Sequence, residues 1–268
     1  MKKHHPNSTT KSLLRSFARV GVAIIAICAI VAICYLYGRF VEAKWIKVKT
    51  VSLSDSPSIT LIHISDTHYK GDKKYLSKVV KIINRTQADF VCFTGDLIEE
   101  KKYLPDCLEI LSAINKPLYG ISGNHDEWAL VRSQDLSAQF AITGGRWLEK
   151  GDETVFSNKV VIVGISSSLA KTPPDATPTM KRILLNHYPS TVNNLPENSY
   201  DLILAGHTHG GQVHIPFIGN PVLRDIDTAY LKGLYRTKAG LLYVNPGIGT
   251  YLWPIRFNCR PEITIIKF

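Results

Sequence analysis

The amino-acid sequence predicts an α/β fold with two packed, mixed β-sheets flanked by helices, preceded by one apolar helix near the N-terminus. Three observations lead to this fold class. Short strand-like segments alternate with amphipathic helical segments from Ile59 onward, a pattern typical of a largely parallel sheet with helices packed outside. Consecutive strand-like segments then follow Gly144, and residues 20–38 contain no charged side chain. The strands are too many for one sheet, so a second packed sheet is expected.

The first element is the apolar segment at residues 20–38, "VGVAIIAICAIVAICYLYG", which lies between Arg19 and Arg39. As an α-helix it would extend about 28 Å, close to the thickness of a bilayer core. A helix in a globular core is usually amphipathic, whereas this segment is apolar on every side. It is longer than the apolar part of a typical signal peptide, and no small-x-small cleavage site follows it. We therefore expect a retained transmembrane anchor rather than a cleaved signal peptide.

The distribution of charge divides the chain. Residues 1–58 contain nine basic and two acidic residues, so they carry seven of the ten net positive charges and leave +3 for residues 59–268. We assign residues 1–19 to a basic N-terminal tail, 39–58 to a juxtamembrane linker and 59–268 to the folded domain. Basic residues flank the anchor on both sides, which leaves its orientation open. A domain charge of +3 does not favour nucleic acid as a partner.

The first part of the domain reads as repeated strand-then-helix units. The strand-like segments are "ITLIHIS", "DFVCFTGD" and "PLYGISGNHD". Between them, "YLSKVVKIINRT" and "LPDCLEILSAIN" have apolar residues at helical spacing, which in the first helix are Leu76, Val79, Val80 and Ile83. Alternation of this kind indicates parallel strands joined by helices.

The second part of the domain, after Gly144, is richer in strands. The predicted strands are "TVFSN", "VVIVGIS", "RILLNHY", "DLILAGH", "GGQVHI", "GLLYVN" and "EITIIKF". The segment "SSSLAKTPPDATPT" at residues 166–179 is rich in Ser, Thr and Pro, which predicts a mobile loop.

Polar side chains follow five of the predicted strands. They are Asp66 with His68, then Asp96, then Asn124 with His125 and Asp126, then His187, and finally His207 with His209. Because the carboxyl ends of parallel strands converge on one edge of a sheet, these side chains are expected to lie close together.

The types of side chain in this set indicate the metal. Asp, His and Asn ligands without thiolates suit borderline divalent ions such as Mn²⁺, Fe²⁺ or Zn²⁺. Seven candidate ligands are too many for one ion with an open position, but they suit two ions that share a carboxylate. In "GHTHGGQ", the two-residue spacing of His207 and His209 allows the imidazoles to face different ions, and the glycines permit close approach of the backbone.

The ordered motifs "DTH", "GD", "GNHD", a single histidine and "GHTH" resemble the signature of the calcineurin-like metallophosphoesterases. The resemblance extends over essentially all of residues 59–268. The fuller "GHTHGGQ" and the C-terminal "NPGIGT" and "PIRFNCRPEI" are similar to a subgroup of membrane-anchored bacterial phosphoesterases, some of which resemble UDP-2,3-diacylglucosamine pyrophosphatases. The resemblance implies a four-layer α/β/β/α sandwich.

The same resemblance implies a role for each candidate residue. One divalent ion is held by Asp66, His68 and His209, and a second by Asn124, His187 and His207. Asp96 bridges the two ions and is catalytic together with His125, which donates a proton on the leaving-group side. Asp126 orients its neighbours without binding an ion, and Gln212 is expected to hold the metal loop by hydrogen bonds. Manganese is the favoured metal, with iron, zinc and magnesium as alternatives.

These expectations define an enzyme. A hydroxide that bridges the metals attacks phosphorus in a phosphodiester or pyrophosphate of a membrane-associated substrate, for which UDP-2,3-diacylglucosamine in lipid A synthesis is favoured. The expected location is the bacterial inner membrane, with a single pass, and a role in lipid A would require the cytoplasmic face. The alternatives are a broad-specificity envelope phosphodiesterase or phosphatase and a non-catalytic metal-binding scaffold. The oligomeric state stays open.

Four further residues are outside this set. One has a structural interpretation, and three have both a structural and a functional one. His63 is predicted to be a packed core histidine, because it lies within a strand and faces away from Asp66. Trp128 could line a substrate pocket or belong to the core. Trp253 and Arg256 could contact lipid headgroups or a nucleotide, or could belong to a fixed C-terminal turn.

Overall fold

The computed structural model describes residues 8–149, 151–157, 159–165, 180–221 and 228–268. The loop predicted at residues 166–179 lies outside the described residues. The α-helices of the described part are α1 (Ser8–Leu36), α2 (Lys73–Arg85), α3 (Leu104–Leu111), α4 (Asn124–Trp128) and α5 (Ser133–Ile142). The strands are β1 (Lys47–Ser52), β2 (Thr60–Ile64), β3 (Phe90–Phe93), β4 (Leu118–Gly120), β5 (Arg146–Trp147), β6 (Asp152–Phe156), β7 (Val160–Ile165), β8 (Lys181–Asn186), β9 (Leu202–Ala205), β10 (Gly233–Thr237), β11 (Gly240–Val244) and β12 (Glu262–Lys267).

The N-terminal helix α1 contains most of the apolar segment predicted as an anchor. It continues into a π-helical turn at Tyr37–Val41 and a 3-10 turn at Glu42–Lys44. From Phe17 to Leu36, its large apolar side chains project away from the rest of the protein and are exposed. By length and composition, this helical segment could cross a membrane.

The first sheet supplies three of the five strand ends that precede the candidate site residues. Within the described residues it has six strands in the order β1-β12-β2-β3-β4-β5. Strands β2 to β5 run parallel, β12 is antiparallel to β2, and β1 is parallel to β12. The carboxyl ends of β2, β3 and β4 therefore lie along the same edge of this sheet.

The second sheet supplies the other two, the ends of β8 and β9. Its six described strands lie in the order β10-β11-β9-β8-β7-β6. Strands β7, β8, β9 and β11 are parallel, whereas β6 and β10 pair antiparallel at the two edges. The predicted fold class, two packed mixed sheets flanked by helices, is confirmed.

The core forms three layers of apolar contact. Side chains from both sheets, such as Phe90 of the first and Leu202 of the second, are fully buried between the sheets. Helices α2, α3 and α5 cover the outer face of the first sheet, and the predicted apolar face of α2, including Val79, packs there. The outer face of the second sheet is covered in part by a 3-10 helix at Pro189–Asn193, through Val192.

Strand β1 lies inside residues 39–58, which the sequence had suggested were a linker. It pairs in parallel with β12 over six residues, from Lys47 opposite Glu262 to Ser52 opposite Lys267. The domain therefore receives a strand directly after the helix that precedes it. The linker interpretation missed this strand because Lys47 and Lys49 give it a polar, exposed edge.

One predicted strand, "GGQVHI" at residues 210–215, is wrong. His209–Gly211 form a 3-10 turn, and Val213 and Ile215 make only isolated bridges, with Phe257 and Gly219. Gly210, Gly211 and Gln212 have φ angles of 61°, 81° and 54°, which an extended strand cannot contain. Besides β1, the elements of the described part that the sequence did not predict include α4, α5, β5 and β10.

His63 is a core histidine, as predicted, and one of its ring nitrogens lacks a partner. Its Nε2 lies 2.9 Å from Thr94 Oγ1, and that hydroxyl donates to Ser65 Oγ at 2.8 Å. Thr94 Oγ1 must therefore accept from His63 Nε2–H, which leaves Nδ1 bare. Nδ1 has no hydrogen-bond partner among the described residues. Burial lowers the pKa of His63 to about 3.

We expect His63 to make the protein less stable in acid. In the unfolded chain, His63 binds a proton below its ordinary pKa of 6.5. In the folded protein the buried ring stays neutral down to about pH 3. Its contribution to stability is therefore complete above pH 6.5 and is lost as the pH falls. Between pH 8 and pH 5 the loss is about 2 kcal/mol.

The test is urea unfolding of the detergent-solubilised full chain at several pH values. His63→Gln, which can still donate to Thr94 Oγ1, should reduce the fall in unfolding free energy between pH 8 and pH 5 by about 2 kcal/mol. An identical fall in wild type and variant would show that the site does not titrate as its burial requires.

Candidate active site

The candidate residues come together where the carboxyl ends of the two sheets meet. Loops after β2, β3 and β4 carry the candidates of the first sheet, and loops after β8 and β9 carry those of the second. All the predicted site residues are buried except His207, which is partly buried. The sequence predicted one sheet edge, whereas the structure builds the site from the edges of two sheets.

Three candidate residues form a first cluster. The ligand atoms of Asp66, His68 and His209 all lie within 4.8 Å of one another. The Nε2 atoms of His68 and His209 are 3.0 Å apart, and His209 Nε2 is 3.6 Å from Asp66 Oδ1. This is the set predicted to hold the first ion.

A second cluster lies beside the first. The ligand atoms of Asp96, His187 and His207 lie within 4.8 Å of one another. His187 Nε2 is 3.0 Å from Asn124 Oδ1 and 3.2 Å from His207 Nδ1. Asn124 is therefore placed with the two histidines, as expected for the second ion.

The carboxylate of Asp96 lies between the two clusters. Its Oδ2 atom is 3.4 Å from His68 Nε2 in the first cluster and 3.3 Å from His187 Nε2 in the second. Its Oδ1 atom accepts a hydrogen bond of 2.8 Å from the backbone N–H of His125. One carboxylate oxygen thus faces both groups, the placement that a bridging ligand requires.

The orientation of two histidine rings fits a cation. His68 Nδ1 lies 2.8 Å from Glu99 Oε2, and His187 Nδ1 lies 2.7 Å from the backbone oxygen of Thr94. Both acceptors take the proton on Nδ1, so the neutral rings present a bare Nε2 to the clusters. The Nε2 atoms of His68 and His209 are 3.0 Å apart, a distance at which a proton or a cation must lie between two ring nitrogens. The donor set therefore fits divalent metal ions.

Burial and charge shift the pKa values in opposite directions across the site. Burial lowers the pKa of His207 to about 4 and that of His209 well below its usual value, so both stay neutral, the form that binds metal. Burial also lowers the pKa of His68 and His187, but nearby carboxylates, chiefly Asp96, outweigh it and raise each to about 9.

The two aspartates are shifted in opposite senses. Burial raises the pKa of Asp66. Burial would also raise the pKa of Asp96, but the imidazoles of His187 and His68 outweigh that effect and hold it well below its usual value. Binding of a dication would displace the protons that these imidazoles hold.

His125 lies at the mouth of the site and is held by a residue that the sequence did not single out. Its Nδ1 is 3.4 Å from Glu99 Oε2, the carboxylate oxygen that also contacts His68. Its ring packs against those of Trp128 and Tyr251 at centroid distances of 4.7 and 4.9 Å. Glu99 follows Asp96 by three residues in the same loop, which is the only sequence signal for it.

The two predicted supporting residues contact backbone rather than other candidate side chains. Asp126 Oδ1 accepts from the N–H of Leu97 at 2.8 Å, and its Oδ2 accepts from the N–H of Gly123 at 2.9 Å. It thereby ties the loop after β3 to the loop after β4. Gln212 donates to the carbonyls of Tyr251 and Trp253 and accepts from the N–H of Tyr251.

The left-handed backbone region is common among the candidate ligands. Five of the seven have positive φ without being glycine: Asp66 (50°), His68 (38°), Asp96 (58°), His207 (68°) and His209 (50°). Such conformations are rare for non-glycine residues and concentrate at functional sites.

Two of the open interpretations are decided by burial. Trp128 is 67% exposed, so the core interpretation is wrong and the residue stands beside His125 instead. Arg256 is fully buried and donates to the carbonyls of Gly249, Pro246 and Cys259 at 2.7–3.1 Å. Arg256 therefore fixes a C-terminal turn and does not reach solvent.

The chain is similar in sequence to known metallophosphoesterases. A sequence model of the calcineurin-like phosphoesterases matches residues 59–211, more than half of the chain. An uncharacterized metallophosphoesterase of Bacillus subtilis, YkuE, is 28% identical, over 86% of this chain and 88% of the relative. The phosphodiesterase YaeI of Escherichia coli is 25% identical, over 86% and 91%. The UDP-2,3-diacylglucosamine pyrophosphatase LpxG of Chlamydia trachomatis is 23% identical, over 94% and 98%.

Divalent cations should stabilise the folded protein through these clusters. At a Mn²⁺ concentration about 100-fold above the dissociation constant, the free energy of unfolding should rise by about 2.7 kcal/mol. The measurement is the melting temperature of the chelator-treated chain in detergent, with and without Mn²⁺.

Asp96→Asn should lose most of this metal-dependent rise in melting temperature, because the carboxylate between the clusters becomes neutral. Glu153→Gln removes an exposed carboxylate on β6 and serves as the matched control. An equal rise in wild type and in both variants would mean that the cation binds elsewhere.

Proposed function

Because the chain belongs to the calcineurin-like phosphoesterase family and is a phosphoester hydrolase, we propose that it cleaves a phosphodiester or pyrophosphate bond of a membrane-associated substrate. The observation that carries the proposal is the position of Asp96. A single carboxylate oxygen lies 3.3–3.4 Å from a histidine of each cluster, which is how one residue would join two metal ions.

Two divalent cations are proposed to occupy the clusters. Asp66, His68 and His209 would hold one, and the second would be held by Asn124, His187 and His207, with Asp96 shared. When bound, the cations supply Lewis-acid activation of water and neutralise charge on the phosphoryl group. We propose manganese as the metal, since carboxylate, amide and imidazole ligands without thiolates suit it.

His125 is proposed to deliver a proton to the leaving oxygen. Glu99 lies 3.4 Å from its Nδ1 and fixes the ring, which leaves Nε2 on the opposite side for the substrate. The rings of Trp128 and Tyr251 flank His125 and restrict its movement. A proton donor placed in this way accelerates departure of the leaving group.

The substrate is proposed to be an amphiphile, with UDP-2,3-diacylglucosamine as the specific candidate. The support is the apolar helix at residues 20–38, taken as a membrane anchor, and the resemblance to a relative named for that pyrophosphatase activity. A soluble substrate gives no reason to hold an enzyme at a bilayer. If this substrate is correct, the domain at residues 59–268 lies on the cytoplasmic face of a bacterial inner membrane.

A broad-specificity phosphodiesterase is the second candidate function. It is favoured by a relative of similar coverage that is named only as a phosphodiesterase. The same metal site would serve both functions, so the substrate alone separates them. A non-catalytic scaffold is disfavoured, since every expected ligand position carries a residue able to bind metal.

The test is hydrolysis by the detergent-solubilised chain with added Mn²⁺. UDP-2,3-diacylglucosamine should be cleaved with a higher kcat/KM than a small chromogenic phosphodiester. His125→Ala should lower kcat by about 10² to 10⁴ because the proton donor is lost. His214→Ala is the matched control, because this histidine bonds Asn220 on an exposed surface.

Three results would contradict parts of the proposed function. Equal kcat/KM for the two substrates would remove the lipid nucleotide and leave the broad-specificity phosphodiesterase. A wild-type kcat in His125→Ala would refute the proton-donor role. Full activity of Asp96→Ala would refute the shared-carboxylate site itself.

A further inference from the structure

Two loops near the site carry pairs of large apolar side chains on their tips. Leu252 and Trp253 form one pair, with Trp253 60% exposed, and Phe217 and Ile218 form the other, with Phe217 fully exposed. Leu252 and Phe217 have φ angles of 51° and 67°, a region that favours glycine or asparagine. The chain thus presents bulky apolar groups at turn positions where small or polar residues are the usual choice.

Both loops are joined to the end of the N-terminal helical segment. The N–H of Arg256 donates to the carbonyl of Gly38 at 3.2 Å, and the Tyr37 and Phe257 rings meet edge to face at 6.4 Å. A Cβ at Gly38 would lie 2.7 Å from a side-chain carbon of Ile255, so the two segments are in close contact. The second loop joins the same segment, residues 255–257, because His214 N–H donates to the carbonyl of Phe257 at 2.8 Å.

The same loops are joined to the candidate active site. The ring of Tyr251 lies 5.9 Å from that of His68 and 4.9 Å from that of His125. Gln212, which begins the second loop, accepts from Tyr251 N–H at 2.7 Å and donates to the Trp253 carbonyl at 3.0 Å. Both loop tips therefore project from a rigid unit that connects the clusters to the helical segment.

Basic side chains surround this junction. Arg39 and Lys44 follow the apolar helix, Lys47 lies at the start of β1, and the guanidinium of Arg260 stacks at 4.0 Å over the exposed Trp45 ring. Tryptophan and basic residues next to an apolar helix match the headgroup layer of an anionic bilayer.

We propose that the Leu252–Trp253 and Phe217–Ile218 tips insert into the lipid interface beside the anchor and hold the active site against the membrane surface. The proposal rests on the anchor assumed in the proposed function, and it identifies lipid as the surface that the tips bind. A bilayer that surrounds α1 and the following π-helical turn up to Arg39 must meet loops that contact Tyr37 and Gly38. Burial of the four side chains in the interface removes exposed apolar area from water.

A cavity connects the end of the helical segment with the first cluster of the candidate active site. It has a volume of about 260 Å³ and is lined by Arg39 and Lys44 of the helical segment, by Thr67, His68 and Lys70 beside the first cluster, and by Pro254 of the loop. A headgroup could reach the site through this cavity while its acyl chains stay in the bilayer.

The direct test is quenching of tryptophan fluorescence by brominated lipid. The full chain is reconstituted in vesicles of phosphatidylcholine and phosphatidylglycerol, with ordinary or dibrominated phosphatidylcholine. The difference in emission between wild type and Trp253→Phe reports Trp253 alone. That contribution should fall about twofold or more in brominated vesicles, as for a side chain at the lipid interface. Trp147→Phe is the control, because Trp147 is buried in the core and should report no quenching.

A second measurement tests the effect on activity. Replacing all four tip residues by serine should lower turnover of a bilayer-embedded phosphodiester about tenfold relative to a soluble chromogenic diester. Ile142→Ser is the matched control. Ile142 is 66% exposed and is the last residue of α5, the helix before β5. Strand β5 lies five strand positions, or about 24 Å, from β1 in the first sheet.

The outcomes separate this proposal from the proposed function. An unquenched Trp253 contribution would overturn it, and dependence of that emission on protein-to-lipid ratio would assign the tips to a second copy of the chain. Equal loss of turnover on both diesters would also overturn it. If wild type cleaves neither the two diesters nor UDP-2,3-diacylglucosamine, the proposed function fails, while the quenching result still decides whether the tips bind lipid.

Discussion

The close packing of loops from two sheets around the carboxylates of Asp66 and Asp96 is the constraint on which the rest of the structure depends. The N–H of His207, from the second sheet, donates to both oxygens of Asp66 at 3.0 and 3.1 Å, and the N–H of His125 donates to Asp96. Glycines make this approach possible, because a Cβ at Gly206 would collide with Asp66 and one at Gly123 would collide with Asp96. The clusters therefore depend on both sheets together, and neither sheet contains a complete site.

This arrangement contains unfavourable backbone conformations and buried charges, and contacts in the surrounding fold must offset their free-energy cost. A non-glycine residue in the left-handed region costs on the order of 1–2 kcal/mol, and five candidate ligands adopt it. Backbone hydrogen bonds between neighbouring loops oppose that cost, such as Asp66 N–H to Gly95 at 2.9 Å and His68 N–H to Asp96 at 3.0 Å. Without metal, the negative charge of the buried carboxylates is offset only by the protons that the neighbouring imidazoles hold. Dications would take over that balance, and at the same place they would bind a phosphoryl group.

Most of the fold and the candidate site residues could be predicted from the sequence, because both depend on short contiguous patterns. Apolar periodicity marks β2, β3 and α2, and the polar residues that follow each strand are local to it. Strand β1 was missed because its exposed lysines hide it and its partner β12 is distant in the chain. The strand expected at residues 210–215 failed because three successive positive φ angles are set by contacts between loops. Glu99 was missed because a carboxylate in an acidic run ordinarily faces water, and only the fold turns it toward His68 and His125.

The central claim is that Asp96 joins two metal ions in one site. Electron paramagnetic resonance of the full chain loaded with Mn²⁺ tests it most directly, because two Mn²⁺ ions about 3.5–4 Å apart are magnetically coupled. We expect a coupled dinuclear spectrum in wild type, which Asp96→Asn should convert to the spectrum of isolated ions. A wild-type spectrum of isolated ions at every Mn²⁺ loading would contradict it.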